Sequence, residues 1–314
     1  MAGDDRIRVA FFGTPDVAVP SLAALDDAVD VDVVAAVTNP DRPRGRSRIP
    51  VPPPVKVAAQ ERGITVLQPH RPRDILDRLH SLSLDAVAVV AYGAILPADV
   101  LEAPRHGYVN LHFSLLPRWR GAAPVQHAIR AGDHTTGITT FVIDVGMDTG
   151  PILQQVEVDI APDETAGELL ERLAVIGAPV LVDSIRQLLQ GVEPQSQRDD
   201  GVTYAARITP EDVRIDWSMP ARSVVDLVRS ANPAPGAHTT FRGQRLKIWR
   251  AEQAQGGGQP GTVLGADPRG PVVATGDQAV VLTEVQPAGK VAMPGGAFTN
   301  GYRPEPGERL GDDR

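Results

Sequence analysis

Apolar runs of strand length alternate with helix-like segments along residues 1–190. Residues 85–91 form a nearly unbroken apolar run, which is typical of a strand buried on both faces of a parallel sheet. Further strands are predicted at 7–12, 31–38, 64–67, 108–112, 137–144 and 152–160, and helices at 15–25, 55–62, 75–84, 124–131 and 165–189. This alternation predicts an α/β fold with a Rossmann-like, open and mostly parallel sheet and right-handed crossovers.

The last helix and the last two strands of this part carry local signals of their own. Thr165 and Glu168 have the spacing of a capping box, which opens the helix. Gly177 and Pro179 are expected to kink or split the same helix. A short, turn-rich loop separates the last two strands, so we expect them to form a hairpin-like addition to the sheet.

The pattern changes after residue 190. Residues 191–201 are polar and rich in turn-forming residues, which is typical of a linker. Short apolar runs then alternate with Gly- and Pro-rich turns, as in a small, OB-like β-barrel; they lie at 246–249, 261–264, 272–274 and 279–285. The tail from 294 to 314 is expected to fray. The sequence therefore predicts an α/β domain at 1–190, a linker at 191–206 and a C-terminal β-barrel domain at 207–314.

Composition narrows the class of protein. Hydrophobic residues make up 42% of the chain and charged residues 22%, which fits a globular protein and argues against wholesale disorder. The absence of cysteine excludes disulfides, thiolate metal ligands and cysteine nucleophiles. No apolar window is long enough to span a bilayer, and the N-terminus lacks the basic and apolar regions of a secretory signal. We therefore expect a cytoplasmic protein that does not enter the membrane.

One short segment is strongly basic although the formal net charge of the chain is −8. Four arginines occupy alternate positions between Asp41 and Ile49: Arg42, Arg44, Arg46 and Arg48. The segment has no apolar periodicity, so we expect an exposed and mobile loop. Composition alone favours a solvated loop, whereas its place after the second strand favours a phosphate-binding role.

The first strand ends at Gly13, where a dinucleotide-binding site would carry its glycine fingerprint. The second and third glycines of that fingerprint are missing, so the backbone has no close approach to a pyrophosphate. We therefore favour a simple strand-to-helix turn over a dinucleotide site.

Asn110 and His112 form the most informative pair of polar residues. If 108–112 is a strand, its alternation places both side chains on one face, at the carboxyl end where open α/β sheets bind ligands. Together they can donate two hydrogen bonds to a single oxygen, as an oxyanion in acyl transfer requires. The histidine can also carry a proton near neutral pH. Taken alone, the pair fits a structural role more often than a catalytic one.

Asp148 lies in a tight, glycine-containing loop at 144–150. The glycines allow the loop to aim this carboxylate at the imidazole of His112, where it would orient the ring and favour its charged form. The alternative is an ordinary solvated loop carboxylate. No His or carboxylate cluster has the spacing of a metal site, so we expect no metal ion.

Four motifs together resemble one family, the formyltransferases that use 10-formyltetrahydrofolate; these motifs lie at 13–16, 91–97, 110–124 and 144–150. Three features resemble most closely the members of that family that act on methionyl-tRNA. They are the run at 117–126, the basic loop at 41–48 followed by Pro54-Val-Lys56, and Arg214-Ile-Asp-Trp217 with Asn232-Pro233. The resemblance covers roughly residues 6–293 and implies the formyltransferase fold for the sheet domain.

The resemblance also implies roles for individual residues. The catalytic residues would be Asn110, His112 and Asp148, without a metal ion. Folate-binding positions would be Val90, Tyr92, Gly93, Ser114, Leu115, Leu116 and Pro117. The tRNA-binding positions would be Arg42, Arg44, Arg46 and Arg48, and the C-terminal β-barrel domain at 207–314 would also bind tRNA. The implied formyl donor is 10-formyltetrahydrofolate, the implied acceptor is initiator methionyl-tRNA, and we expect a monomer.

The sequence departs from the family pattern at three positions. Phe113 stands where a small residue is common, so we expect the pocket wall beside His112 to differ from that of the family. Ala234 and His238 stand where aromatic residues are frequent, so we expect the local packing of the second domain, but not the chemistry, to differ from that of the family.

Two other functions stay open at the level of sequence. A formyltransferase acting on an amino group of a nucleotide sugar or ribonucleotide would use the same chemistry, but it needs neither the basic loop nor the β-rich second domain. A non-catalytic RNA-binding protein built on the barrel is disfavoured by the acidic net charge and by the complete Asn110, His112 and Asp148 set.

Overall fold

The computed structural model describes residues 6–43 and 49–311, and these fall into two compact units. The first unit comprises the described residues up to Pro124 together with Thr136–Asp159 and Leu170–Ala205. The second comprises Val125–Thr135, Ile160–Leu169 and the described residues from Ala206 onward. Residues 191–205, which the sequence predicts as a linker, are grouped with the first unit. The domain boundaries at 190 and 207 stay a prediction.

The first unit is built on a mostly parallel sheet, which confirms the predicted α/β class. Its main strands are β1 (Ile7–Gly13), β2 (Val31–Val37), β5 (Val66–Leu67), β6 (Ala86–Val90), β7 (Tyr108–His112), β9 (Thr135–Val142) and β10 (Ile152–Asp159). Two short pairs lie outside this sheet: β3 (Arg42–Pro43) with β4 (Pro50–Val51), and β8 (Arg120–Gly121) with β11 (Tyr204–Ala205). The helices of this half of the chain are α1 (Val19–Asp26), α2 (Pro54–Glu61), α3 (Leu76–Ser81), α4 (Ala98–Leu101), α5 (Pro124–Arg130) and α6 (Ala166–Leu189).

Strand order determines where a ligand site can form. The order is β10-β9-β7-β6-β1-β2-β5, with parallel pairing from β7 through β5 and antiparallel pairing of β7 with β9. Every residue of β6 is buried, as expected for a strand covered on both faces. The carboxyl ends of β7, β6, β1 and β2 therefore meet at one edge of the sheet, where open α/β sheets bind ligands.

The long helix α6 opens with the capping box that the sequence predicts. The Thr165 backbone N donates to a Glu168 carboxylate oxygen at 2.8 Å, and the Glu168 N donates to Thr165 Oγ1 at 3.3 Å. The helix is continuous through Pro179, so the predicted split is wrong. A Cβ on Gly177 would lie 2.8 Å from the Leu111 side chain, so this glycine allows α6 to pack closely against β7.

The second unit contains an antiparallel sheet, as the barrel prediction requires. Its strands are β12 (Ala237–Phe241), β13 (Gln244–Ala254), β14 (Val263–Asp267), β15 (Gly270–Ala274), β16 (Ala279–Pro287) and β17 (Met293–Pro294), in the order β12-β13-β16-β15-β14 with β17 beside β16. Its helices include α7 (Ala221–Ser230) and α8 (Gly295–Tyr302). The sequence patterns missed β12, α7 and α8.

The C-terminal segment joins the two edges of this sheet. Leu310 bridges to Phe241 at the end of β12, and Arg309 bridges to Thr262 just before β14. Phe298 of α8 and Leu310 are buried in the core of this unit. The expectation of a frayed tail is therefore wrong for residues 294–311, because apolar side chains anchor them; residues 312–314 lie outside the described part of the chain.

Candidate active site

Asn110 and His112 lie on β7 at the carboxyl edge of the sheet. Asn110 pairs with Val89 of β6 and with Phe141 of β9, so it is held between two neighbouring strands. Its side chain is half-buried, and no hydrogen bond of its amide to any other described residue is found. The His112 side chain is only 6% exposed, and its ring lies 6.4 Å from that of Phe141. The strand thus places an available amide beside a buried imidazole.

The hydrogen bonding of His112 distinguishes its two ring nitrogens. Nε2 lies 2.9 Å from the carbonyl oxygen of Trp119. Because a carbonyl oxygen only accepts, Nε2 carries the hydrogen, and in the neutral ring Nδ1 is left as the base. Nδ1 faces Oδ2 of Asp148 at 3.7 Å. His112 therefore does not direct Nε2 at a substrate oxygen, in contrast to the simple two-donor arrangement expected from the sequence.

Asp148 is held on a tightly built loop. Its backbone has a φ of +54°, and its Oδ2 accepts a hydrogen bond from the Gly121 backbone N at 2.7 Å. Asp144 stabilises the preceding turn, since its Oδ1 accepts from the Gly146 N at 2.9 Å. A Cβ on Gly150 would lie 1.8 Å from the Val142 carbonyl oxygen, so the close turn requires glycine there. The loop geometry aims the carboxylate at His112, as the sequence predicts.

The electrostatic balance at His112 differs from the expectation. Burial lowers the pKa of the imidazole, and this effect outweighs the negative charge of Asp148 and the Trp119 carbonyl, which both raise it. The pKa therefore lies below its ordinary value of 6.5. His112 is neutral at pH 7 and suited to accept a proton, whereas the sequence favours the charged ring.

The predicted folate-binding segment 114–117 forms the loop after β7. Ser114 is fully buried, and its hydroxyl donates to the Arg118 carbonyl at 2.7 Å, so it shapes the loop instead of facing outward. Thr139 Oγ1 donates to the Ser114 carbonyl at 2.6 Å and accepts from the Leu116 N at 3.0 Å. Leu116 is buried, while Leu115 and Pro117 are half-buried. Leu115 and Pro117 are thus the members whose side chains are open to a ligand.

The other predicted folate-binding residues lie at the end of β6. Val90 is fully buried, and Tyr92 is buried with its ring 5.1 Å from that of Phe12. Burial raises the pKa of Tyr92 to about 12. Gly93 is exposed with a φ of +79°. Val90 and Tyr92 therefore form the buried base of this edge, and the backbone is accessible at Gly93.

A short hairpin of β3 and β4 follows β2 at the carboxyl edge of the sheet, and the basic segment connects its two strands. Arg42 is exposed on β3 and pairs with Val51 of β4. Asp41 anchors the base of the hairpin, because its carboxylate lies 2.7 Å from Lys56 Nζ. Arg44, Arg46 and Arg48, and the expectation that the loop is mobile, lie outside the described residues.

Four residues of the site were not assigned a role from the sequence. They are Trp119 and Gly121, which contact His112 and Asp148, and Gln197 and Thr203 from the segment predicted as a linker. Trp119 and Gly121 belong to the motif at 110–124, but nothing in their spacing indicates that their backbone atoms hold the side chains of His112 and Asp148. Gln197 lies in a polar segment without periodicity, so no sequence signal was available.

Neither a metal-binding cluster nor a membrane-spanning helix lies within the described residues, 6–43 and 49–311. No group of three or more His, Asp or Glu side chains is placed there to hold a metal ion. None of the helices in these ranges has the length and apolarity needed to cross a membrane.

An open α/β sheet that gathers an amide, a buried neutral imidazole and a carboxylate at its carboxyl edge is the arrangement of an acyl-transfer enzyme. Comparison with protein families makes this more specific. The model of the family described as formyl transferase matches residues 6–185, and that of the formyl transferase C-terminal domain matches residues 207–303. The chain belongs to the formyltransferase family.

Individual relatives agree with this assignment. The methionyl-tRNA formyltransferase of Thermobifida fusca is 49% identical over 98% of this chain and 100% of its own length. Among solved structures, methionyl-tRNA formyltransferase from Clostridium thermocellum aligns with a TM-score of 0.55 and 20% identity, covering 79% of this chain and 94% of that one. An N-formyltransferase from Helicobacter canadensis, solved with folinic acid and dTDP-3-aminofucose, aligns with a TM-score of 0.65 and 18% identity, covering 88% of this chain and 98% of that one. The two structural similarities concern the fold alone.

Proposed function

We propose that the protein transfers the formyl group of 10-formyltetrahydrofolate to the α-amino group of methionine on initiator methionyl-tRNA, for translation initiation. The observation that carries the proposal is the near full-length similarity to a methionyl-tRNA formyltransferase, in a chain that keeps Asn110, His112 and Asp148 together at the ligand edge of the sheet.

The proposed reaction is direct transfer through a tetrahedral intermediate. The amine nitrogen attacks the formyl carbon, and the amide of Asn110 donates to the oxygen that becomes negative. Nδ1 of His112 accepts the proton lost by the amine, and the carboxylate of Asp148 stabilises the imidazolium that forms. The carbon–nitrogen bond to N10 of the folate then breaks, and the imidazolium returns its proton to that nitrogen. Holding donor and acceptor together supplies much of the rate.

The formyl donor and the acceptor are proposed to lie on either side of Asn110, His112 and Asp148. Leu115 and Pro117, with the backbone at Gly93, would hold the folate at the carboxyl edge, over the buried base formed by Val90 and Tyr92. The hairpin carrying Arg42, with the predicted contacts of Arg44, Arg46 and Arg48, would bind tRNA phosphates. The exposed side chain of Arg42 supports this role, since no ion pair involves it within the described residues.

A sugar or ribonucleotide acceptor is the main rival. The Helicobacter canadensis enzyme shares the fold at 18% identity, so that likeness does not extend to substrate. The 49% identity to a methionyl-tRNA formyltransferase and the presence of the second family domain favour tRNA. A non-catalytic RNA-binding role does not account for the arrangement of Asn110, His112 and Asp148.

We also propose that the enzyme acts as a monomer in the cytoplasm. All of the proposed catalytic residues come from the first unit of one chain, so the site needs no second copy. The proposed acceptor, a charged initiator tRNA, is a cytoplasmic molecule.

An acceptor panel tests the function. The purified full-length protein is incubated with 10-formyltetrahydrofolate and, in separate reactions, methionyl-initiator tRNA, free methionine, an amino sugar nucleotide or an aminated ribonucleotide. We expect formylation of methionyl-tRNA alone. Formylation of a small acceptor, with methionyl-tRNA unchanged, would replace the proposal by its rival, and no transfer to any acceptor would support the non-catalytic alternative.

A further inference from the structure

The segment 195–205 contacts both catalytic loops of the first unit. Gln197 is half-buried although its neighbours Gln195, Ser196 and Arg198 are exposed. Its Nε2 donates to the backbone carbonyl of Asp148 at 2.9 Å and to that of Gly150 at 2.8 Å. One amide group therefore fixes the backbone on both sides of the turn that carries the proposed catalytic carboxylate.

The other end of the same amide is fixed as well. Oε1 of Gln197 accepts from Nη2 of Arg120 at 2.6 Å and from Nε at 3.1 Å. Arg120 precedes Gly121, whose backbone N donates to the Asp148 carboxylate at 2.7 Å. Gln197 thus links the Asp148 loop to the loop that follows β7. The contacts form a closed circuit that runs from Asp148 through Gln197, Arg120 and Gly121 back to Asp148.

Thr203 bonds to Trp119, the residue that contacts His112. Its Oγ1 accepts from the Trp119 backbone N at 2.8 Å, and the Trp119 carbonyl accepts from Nε2 of His112 at 2.9 Å. Trp119 has a φ of +63°, a conformation that a large side chain rarely adopts and that persists only where neighbours enforce it. Asp148 has a φ of +54°. The segment therefore bonds directly to the two residues whose unusual backbone geometry orients the catalytic pair.

We propose that Gln197 and Thr203 are positioning residues for formyl transfer, in that they hold the Asp148 carboxylate and the Trp119 carbonyl in the places that orient His112. This inference rests on the proposed function for the reaction it serves. It assigns Gln197 and Thr203 a role in catalysis beyond that of a connection between the two parts of the chain. Misplacement of a reacting group by about 1 Å can cost about 100-fold in rate, so a defect should appear in kcat while substrate binding is largely retained.

Two pairs of variants in the full-length protein test the proposal. Gln197→Met removes the amide, and its matched control is Gln195→Met, which changes an exposed side chain two positions away for which no hydrogen bond to another described residue is found. Thr203→Val removes the hydroxyl at nearly constant volume, and Thr203→Ser restores it. The measurements are kcat and KM for donor and acceptor, thermal melting, and NMR titration of the His112 ring.

We expect Gln197→Met and Thr203→Val to lower kcat by about 10- to 100-fold with much smaller changes in KM. Gln195→Met and Thr203→Ser should retain wild-type kcat. The His112 titration should move to lower pH in Gln197→Met, because the Asp148 charge that opposes the effect of burial is no longer held beside the ring. Wild-type kcat in both test variants, or a reduced kcat with an unchanged His112 titration in Gln197→Met, would overturn the proposal.

The titration requires no substrate, so it separates this inference from the proposed acceptor. If the wild-type protein formylates a small acceptor in place of methionyl-tRNA, the function is revised and the same variants are assayed on that acceptor. If Thr203→Val does not fold, the Gln197→Met and Gln195→Met pair decides the result.

Discussion

Oδ2 of Asp148 lies 3.7 Å from Nδ1 of His112, too far for a hydrogen bond but close enough for its charge to act on the ring. The Gly121 backbone N, at 2.7 Å, is the closer partner of that oxygen. In the free enzyme the carboxylate is therefore stabilised by a backbone amide while the imidazole stays neutral. A proton arriving at Nδ1 during the reaction would meet a charge already in place, without reorganisation of the site.

The first prediction concerns the pH dependence of the wild-type enzyme. Because burial lowers the pKa of His112, the ring keeps its neutral, proton-accepting form below its ordinary value of 6.5. We expect the part of the acid limb of kcat/KM that belongs to His112 to fall below pH 6.5, separate from the titration of the acceptor amine, since this parameter reports groups of the free enzyme and the free substrate. An acid limb of kcat/KM with its midpoint at or above pH 6.5 that disappears in His112→Ala would contradict a neutral, buried imidazole.

Asp148→Asn removes the charge but keeps the shape of the side chain. The variant should fold and should lose most of its kcat, because an amide does not stabilise the imidazolium. The acid limb should also move further down in pH, since Asp148 raises the pKa of His112. Asp163→Asn, an exposed aspartate in the second unit, serves as the control and should match the wild type. An acid limb unchanged between Asp148→Asn and the wild type would show that the carboxylate does not act on the ring.

Asn110→Ala removes the proposed oxyanion donor. The loss of one such donor costs about 10²–10³ in kcat, and folate binding should survive because the amide acts on charge that develops only during the reaction. Stopped-flow formylation and a separate tetrahydrofolate binding titration measure the two effects. Near-normal kcat in this variant would assign the oxyanion to another group.

The arginines of the basic loop should increase the salt dependence of tRNA use. Each phosphate contact contributes roughly −0.7 to −0.9 to the slope of log affinity against log salt. Replacing Arg42, Arg44, Arg46 and Arg48 by alanine should weaken tRNA use and flatten this slope, while folate binding stays unchanged. We expect the single variant Arg42→Ala to have the largest effect of the four. Unchanged tRNA kinetics across salt concentrations in the fourfold variant would remove the loop from the tRNA site.

The C-terminal helix should contribute to the stability of the second unit. Phe298 of α8 is 1% exposed in the core, with its ring 5.4 Å from that of Phe241. Phe298→Ala should lower the free energy of unfolding by about 3–5 kcal/mol, the cost of a large cavity, and Phe298→Leu should cost much less. Denaturant unfolding measures both values. A loss below about 1 kcal/mol for Phe298→Ala would mean that this helix is peripheral.

The strongly periodic parts of the fold were predictable from the sequence. The strand 108–112 has its predicted bounds, and the all-apolar run at 86–90 is buried on both faces, because uniform burial leaves an uninterrupted apolar pattern. The tail was misjudged for the opposite reason. Phe298 and Leu310 are single apolar residues among Gly, Pro and charged residues, and only their long-range partners show that they are core.

The site was predictable in its residue types but not in its hydrogen bonding. The spacing of Asn110 and His112, together with the loop of Asp148, indicated which side chains belong together. Whether Nε2 of His112 faces a substrate or the Trp119 carbonyl depends on a backbone turn with positive φ, which no pattern of residues specifies. The contacts of Gln197 depend on tertiary structure alone, since about 50 residues separate it from its partner Asp148.

The account is tested most directly by a single-turnover measurement of formylmethionyl-tRNA formation by the wild type and by His112→Ala, with donor and enzyme in excess over methionyl-tRNA. The account predicts rapid formation by the wild type and a rate at least about 10²–10³-fold lower in the variant, with donor binding retained. Absence of formylmethionyl-tRNA in the wild-type reaction, or equal rates in the two proteins, would contradict it.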